Sequence, residues 1–275
     1  MKTQFALALA IPFSLCSSLV LADSAPYDIA RYQSVLDESK LQAPNSATYI
    51  ANGDFEGQYN QYFYVPDTGN AWMTFEVTGD HARSELRQVN NWYTSDTQYL
   101  NKMIANVLVD DPLAGEVDEI TFLQVHDVTS NSNAINLPLV RIVWMREYDD
   151  VSDHYWAIIK EDACESCKNY AKIDLGEYRD SAVKFEIRIE NNELTIKRDS
   201  VTHSEINKLD ISYWGELESY FKAGVYNQDS APDECNSSHS NTTSKRLTDQ
   251  RISLQKAARW LSFFIGVRCL AARQK

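Results

Sequence analysis

The sequence predicts an all-β protein, a sandwich or β-jelly roll, and three observations carry the prediction. Short segments with an apolar residue at every second position recur along the chain. Helical periodicity is weak. Tyr and Trp are abundant at 15 and 6 residues, beside a modest 9 Gly and 7 Pro. Alternation with period two turns one face of a strand to a core and the other outward. Many such strands with few helices bury their apolar faces by packing sheet on sheet. Taken in order, a helical turn or two is expected near Ala30–Lys40, then a strand over Ala71–Thr78 with Met73, Phe75 and Val77 inward. A second short helical stretch is expected around Tyr99–Val107. Glu119–Val128, Leu137–Tyr148 and His154–Lys160 read as strands. Ala182–Lys197 reads as a hairpin, with Phe185, Ile187 and Ile189 answered by Leu194 and Ile196 across Asn191-Asn192. No internal repeat or interdomain linker interrupts the chain, so 23–275 is read as a single domain.

The N-terminus has a separate purpose. Lys2, an apolar run from Phe5 to Leu21 and the small Ala22 make the pattern of a secretory signal peptide over 1–22. The run is too short to favour a membrane span, and no later segment is long enough for one. Leu15 stands before Cys16 where a lipoprotein cut needs a small residue. The expectation is an exported protein, secreted or periplasmic, and a monomer. The formal net charge is −13, and removal of Lys2 with the leader takes it to −14. Such acidity argues against nucleic acid as a partner. It also means that any site for an anion must be a local basic island. Four cysteines lie beyond the leader: Cys164, Cys167, Cys235 and Cys269. In an exported chain they read as disulfides, with three connectivities open. Cys164-Glu-Ser-Cys167 lacks both the βαβ surroundings of a redox pair and the second pair of a zinc ribbon.

Three segments carry chemistry. Tyr-Phe-Lys-Ala-Gly-Val-Tyr-Asn-Gln (220–228) sets Phe221, Ala223 and Val225 on one side and Tyr220, Lys222, Tyr226 and Gln228 on the other. An ammonium, an amide and two phenols in one row suit a polar, anionic ligand. Parity puts Asn227 with the apolar side unless the strand bends. His81-Ala-Arg-Ser-Glu-Leu-Arg-Gln88 places Arg83, Glu85 and Arg87 on a shared face. That face is either a structural ion-pair ladder or a fork for a carboxylate, since guanidinium presents paired donors that match a planar anion. Thr121–Asp127 sets Gln124 and His126 together on one face of an otherwise apolar strand. A lone His is usually structural, and that default covers His81, His154, His203 and His239.

Arg-Ser-Glu-Leu-Arg (83–87), Gln-Val-His (124–126) and the 220–228 block, in that order and spacing, resemble the three signature blocks of the alginate lyases of polysaccharide lyase family 7. The resemblance spans roughly 25–230. It implies a β-jelly roll whose concave sheet is a groove for the polymer, and a β-elimination in which the C5 proton leaves before the bond to the 4-oxygen breaks. That C–H is a very weak acid while the adjacent carboxylate is ionised, so preorganised donors at the developing charge are the main requirement. By the resemblance, Arg83 and Gln124 contact the carboxylate with His126 assisting, and Tyr226 transfers the proton. A phenol starts near a pKa of about 10, and nearby cations favour its phenolate. One Tyr can serve both steps on mannuronate, whose proton and leaving oxygen share a side of the ring; for guluronate His126 is the natural base. Glu85, Arg87, Lys222, Asn227 and Gln228 are expected to bind substrate along the groove. No metal or cofactor is demanded. Val125, where some members carry Ile, points to mannuronate-rich polymer, and endolytic cleavage is a family expectation.

Two alternatives stay open on sequence: a non-catalytic polyuronate-binding module on the same scaffold, and a lyase of another polyuronate such as glucuronan. One departure also stands. The family usually closes with a core strand soon after the Tyr block. Here a basic stretch over 245–275 follows, and Trp260–Val267 reads as either a last strand or an amphipathic helix. The tail is either a divergent ending or a shifted reading frame.

Overall fold

Period-two alternation does produce the architecture. The computed structural model describes residues 23–67, 71–110, 112, 117–228 and the backbone of 260–270; the expected leader lies outside the described residues. A 3-10 turn at Pro26–Asp28 leads into α1 (Ala30–Leu36), which buries Tyr32, Val35 and Leu36. The strands that follow are β1 (Ser39–Gln42), β2 (Thr48–Ile50), β3 (Phe63–Tyr64), β4 (Met73–Thr78), β5 (Arg83–Gln88) and β6 (Trp92–Tyr93). Next come β7 (Asn101–Val109), β8 (Glu119–Asp127), β9 (Pro138–Tyr148), β10 (Val151–Lys160) and β11 (Tyr170–Glu177). The last are β12 (Val183–Glu190), β13 (Glu193–Arg198), β14 (Val201–Thr202), β15 (Leu209–Asp210), β16 (Glu218–Asn227) and β17 (Trp260–Leu270).

Two sheets hold them. One runs β11-β10-β9-β8-β16-β5-β1-β2, with β6 also on β16; the other runs β14-β13-β12-β7-β17-β4-β3, with β15 on β13. The core lies between, filled from the first sheet by Leu41, Leu86, Leu123, Val125, Ile142, Phe221 and Val225 and from the second by Phe63, Phe75, Met103, Val107, Phe185 and Ile187. The jelly-roll expectation holds. Among the described residues no helix is long and apolar enough to cross a membrane.

The β12–β13 hairpin turns where expected, with Asn191 and Asn192 both at positive φ (50° and 58°). That pair of left-handed residues matches the twist of the flanking strands, and Asn tolerates it. Tyr99–Val107 corrects the reading of a helix there. It falls largely in β7, where Met103, Ala105, Val107 and Val109 are buried in strict alternation. Apolar residues four apart fit a helix as well as a strand, and here the sheet partners β12 and β17 decide. In the tail, 260–270 is strand: β17 lies between β7 and β4 and runs parallel to both, with Trp260 opposite Lys102 and Ile265 opposite Met73. Cys164 and Cys167 form a disulfide in the β10–β11 connection. The side chains of Cys235 and Cys269 lie outside the described residues.

Candidate active site

Three neighbouring strands bring the singled-out residues together. β16 lies between β5 and β8, pairing Lys222 with Arg87 on one side and Gln124 on the other, Tyr226 with Arg83, and Tyr220 with His126. Because side chains alternate, this register lines up Arg83, Glu85, Arg87, Gln124, His126, Tyr220, Lys222 and Tyr226 on the face opposite the core. β8 achieves this with an irregularity. Its register against β9 shifts between Thr121 and Leu123, so Phe122 and Leu123 both enter the core and Thr121 and Gln124 both face out. Gly224 lets β16 approach β5: at φ +148° a Cβ there would stand 2.2 Å from the Ser84 carbonyl oxygen.

At the centre is Glu85, only 1 % exposed. One carboxylate oxygen accepts from Gln124 Nε2, and the other accepts from Lys222 Nζ and, at 3.4 Å, from Arg83 Nη1. Lys222 is itself 2 % exposed. Burial holds its ammonium below the ordinary lysine pKa; Glu85 opposes that shift and the Arg83 and Arg87 charges add to it. Glu85 therefore orients the donors around it, and Lys222 is one of them, its ammonium held on Glu85 beneath the groove face. Lys40, opposite Arg87 on β1, supplies another positive charge, with its pKa lowered by burial and by Arg87. Arg83, Arg87, Lys222 and Lys40 gathered around Glu85 make the basic island that an acidic body requires for an anionic ligand.

His126 is oriented by its neighbours. Nδ1 lies 2.9 Å from the Asp127 carbonyl oxygen and 3.0 Å from Asp127 Oδ1. Both are acceptors, so Nδ1 carries the proton, and Nε2 is the atom free to give or take one. The ring stacks on Tyr220 with centroids 5.7 Å apart. Asp127 is fixed by the amides of Ile135 (2.7 Å) and Asn136 (2.9 Å). Burial alone would raise its pKa, but His126 and these two amides outweigh it and hold the carboxyl below its ordinary value. Burial raises the Tyr220 pKa against the opposing charge of Arg87, whose guanidinium sits 3.8 Å from the ring centroid.

Tyr226 is half-buried, with the Arg83 guanidinium 4.2 Å from its ring centroid and its hydroxyl 3.4 Å from His81 Nδ1. Asn227 is buried, and its amide donates to the Gly79 carbonyl at 3.0 Å, turned away from the row of Tyr226 and Lys222. Gln228 Oε1 accepts from Thr121 Oγ1 and from Arg141 Nη1, which also pairs with Glu119. Sequence reasoning missed Lys40, His81 and Arg141. Lys40 was absorbed into an expected helix although Leu41 beside it alternates as a strand should; His81 took the structural default; Arg141 lies in Leu137–Tyr148, a segment read only as a strand. Among the described residues no three His, Cys, Asp or Glu side chains converge on a possible metal position. The arrangement is suited to bind a carboxylated chain, neutralise one carboxylate and move a proton at Tyr226.

Comparison with known proteins bears on the family of the chain. Residues 35–251 match a family model described as alginate lyase. An alginate lyase of Photobacterium sp. (strain ATCC 43367) is 33% identical over 236 residues, covering 74% of this chain and 81% of that protein. The solved structure of alginate lyase AlyC3 superposes with a TM-score of 0.68 at 33% identity, over 80% of this chain and 93% of that one. AlyC3 in complex with dimannuronate gives the same TM-score and identity over 75% and 89%. Alginate lyase A1-II′, a member of polysaccharide lyase family 7, is 22% identical with a TM-score of 0.54 over 75% and 90%, a likeness of fold. With three signature blocks on one face of a jelly roll, a family match over most of its length and a relative at 33% identity, the chain belongs to the alginate lyases of polysaccharide lyase family 7, enzymes that depolymerise alginate.

Proposed function

We propose that this lyase prefers mannuronate-rich alginate and cleaves it with Tyr226 as both base and acid. The observation that carries the reading is the convergence of Arg83, Gln124 and Lys222 on buried Glu85, beside Tyr226. Glu85 holds these donors in place before substrate arrives, so no reorganisation is needed when charge develops. Arg83 and Gln124 meet the carboxylate of the reacting uronate, and His126 reaches it through Nε2. Neutralisation acidifies the C5 proton. Tyr226 takes that proton, the bond to the 4-oxygen breaks, and Tyr226 returns a proton to the leaving oxygen, leaving an unsaturated uronate. Arg87, Lys222 and Gln228 hold neighbouring uronates, and Glu85 and Asn227 act by holding other groups in place.

Mannuronate preference is supported by Val125 in the Gln-Val-His block and by AlyC3, a 33% identical lyase solved with dimannuronate. We read the enzyme as an exported monomer with one catalytic domain over 23–275. The test is digestion of polymannuronate and polyguluronate separately, following ultraviolet absorbance of unsaturated ends and sizing the products. Faster release from polymannuronate, in short oligomers from the start, is expected; equal or faster release from polyguluronate contradicts the preference.

A further inference from the structure

Tyr226 as a base raises a question that its own strand does not answer: where its hydroxyl proton goes. A phenol is protonated near neutrality, and Arg83, as a permanent cation, cannot accept a proton. The loop Gly79–Ala82 between β4 and β5 supplies an acceptor. His81 Nδ1 lies 3.4 Å from the Tyr226 hydroxyl, with the two rings 6.4 Å apart. Catalytic hydrogen bonds often tighten only once substrate binds.

The contact is held by the chain. His81 sits at φ +52° and Gly79 at +95°, so the loop is sharply bent. Asn227, the residue after Tyr226, clips that loop at two points: its side-chain amide donates to the Gly79 carbonyl and its backbone N–H to the Ala82 carbonyl, both at 3.0 Å. The strand that carries Tyr226 thus fixes the loop that carries His81. Tyr226 from β16 contacts His81 directly, and the charged residues Asp80 and Arg83 are one and two positions away in the chain. His81 is exposed, so solvent can restore its protonation between turnovers.

We propose that His81 is the proton acceptor that activates Tyr226, a role that rests on the reading of Tyr226 as base. The hydroxyl proton moves from Tyr226 Oη to His81 Nδ1, leaving a phenolate beside Arg83. The phenolate takes the C5 proton and becomes a phenol again. It gives this proton to the leaving 4-oxygen as that bond breaks, and His81 returns its proton to the phenolate. Every proton is accounted for, and the enzyme ends as it began. Asn227 is the positioning residue of the relay.

The test compares the wild-type enzyme with His81→Asn, His81→Gly and Tyr226→Phe on polymannuronate from pH 6 to 10. Asn and Gly both tolerate the left-handed backbone at this position. At pH 7 the kcat of His81→Asn should fall about 10- to 100-fold, part of what acid–base catalysis provides, with KM within about twofold. The deficit should narrow as pH rises toward the phenol's own ionisation. Taking the ratio to wild type cancels the contribution of His126. Imidazole added to His81→Gly should restore turnover severalfold and do nothing for Tyr226→Phe. Wild-type turnover in His81→Asn overturns the relay, as does an equal loss at every pH without imidazole rescue. An active Tyr226→Phe sinks the underlying reading of Tyr226 instead, so the two failures are distinguishable.

Discussion

Glu85 and Lys222 are both buried, and each depends on the other. Removing one partner of a buried ion pair strands the other charge, at a cost of about 3–5 kcal/mol, whereas replacing both with apolar groups of similar size costs much less. Glu85→Gln should therefore destabilise the fold by roughly that amount, and adding Lys222→Met should recover most of it. Thermal or denaturant unfolding of the two variants checks this; both remain poor enzymes, because Gln124 and Arg83 lose their anchor. Asp127 makes a second residue-scale prediction. Its pKa is held down in the folded state, so its stabilisation is complete above the unfolded carboxyl value of about 4 and fades as pH falls through the folded one. Asp127→Asn should cost about 1–3 kcal/mol near neutrality, and the gap to wild type should start to narrow below about pH 4. Melting curves at pH 7, 5 and 3 test it; a gap unchanged at pH 3 contradicts it. At this scale the sequence was legible where residue type and chemistry coincide. Arg83, Gln124, His126 and Tyr226 stand out because nothing in a core needs them. His81 and Lys40 were not, because their partners Tyr226 and Arg87 are distant in sequence and meet them only through loop closure and strand pairing.

Among the elements, β16 depends most on a single backbone position. Gly224 faces Glu85 across the β5 pairing, and a methyl there would overlap the Ser84 carbonyl. Gly224→Ala should cost about 2–4 kcal/mol through overlap and positive φ. It should also lower turnover beyond what the remaining folded fraction accounts for, because Tyr226 and Lys222 lie two residues to either side. Activity normalised to the folded protein measures this directly. Strand alternation made β4, β8, β9, β10 and the β12–β13 hairpin readable. It failed at Tyr99–Val107, where apolar spacing suits both periods and only the neighbours β12 and β17 choose. The tail was ambiguous for a related reason: a strand inserted parallel between β7 and β4 is specified by two distant partners, and its own residues fit a helix equally well.

The whole molecule carries −13 while its substrate is a polyanion. Long-range repulsion is screened over about 8 Å at physiological ionic strength, whereas contacts inside a partly buried groove are screened much less. Moderate salt should therefore raise kcat/KM on polymannuronate severalfold from its value at very low ionic strength. A steady fall from the lowest salt onward would mean that the basic island of Arg83, Arg87, Lys222 and Lys40 dominates the field at a distance. The jelly roll and its polar row follow from alternation in the sequence, while the depth of burial at Glu85 and Lys222 follows only from stacking the strands. The central claim is that Tyr226 moves the proton in a groove whose binding groups work without its hydroxyl. The direct measurement is turnover and polymer binding of Tyr226→Phe on polymannuronate, in parallel with wild type. A loss of at least about 100-fold in the appearance of unsaturated ends is expected, with binding within about twofold. Substantial turnover in this variant, or loss of binding together with turnover, would contradict it.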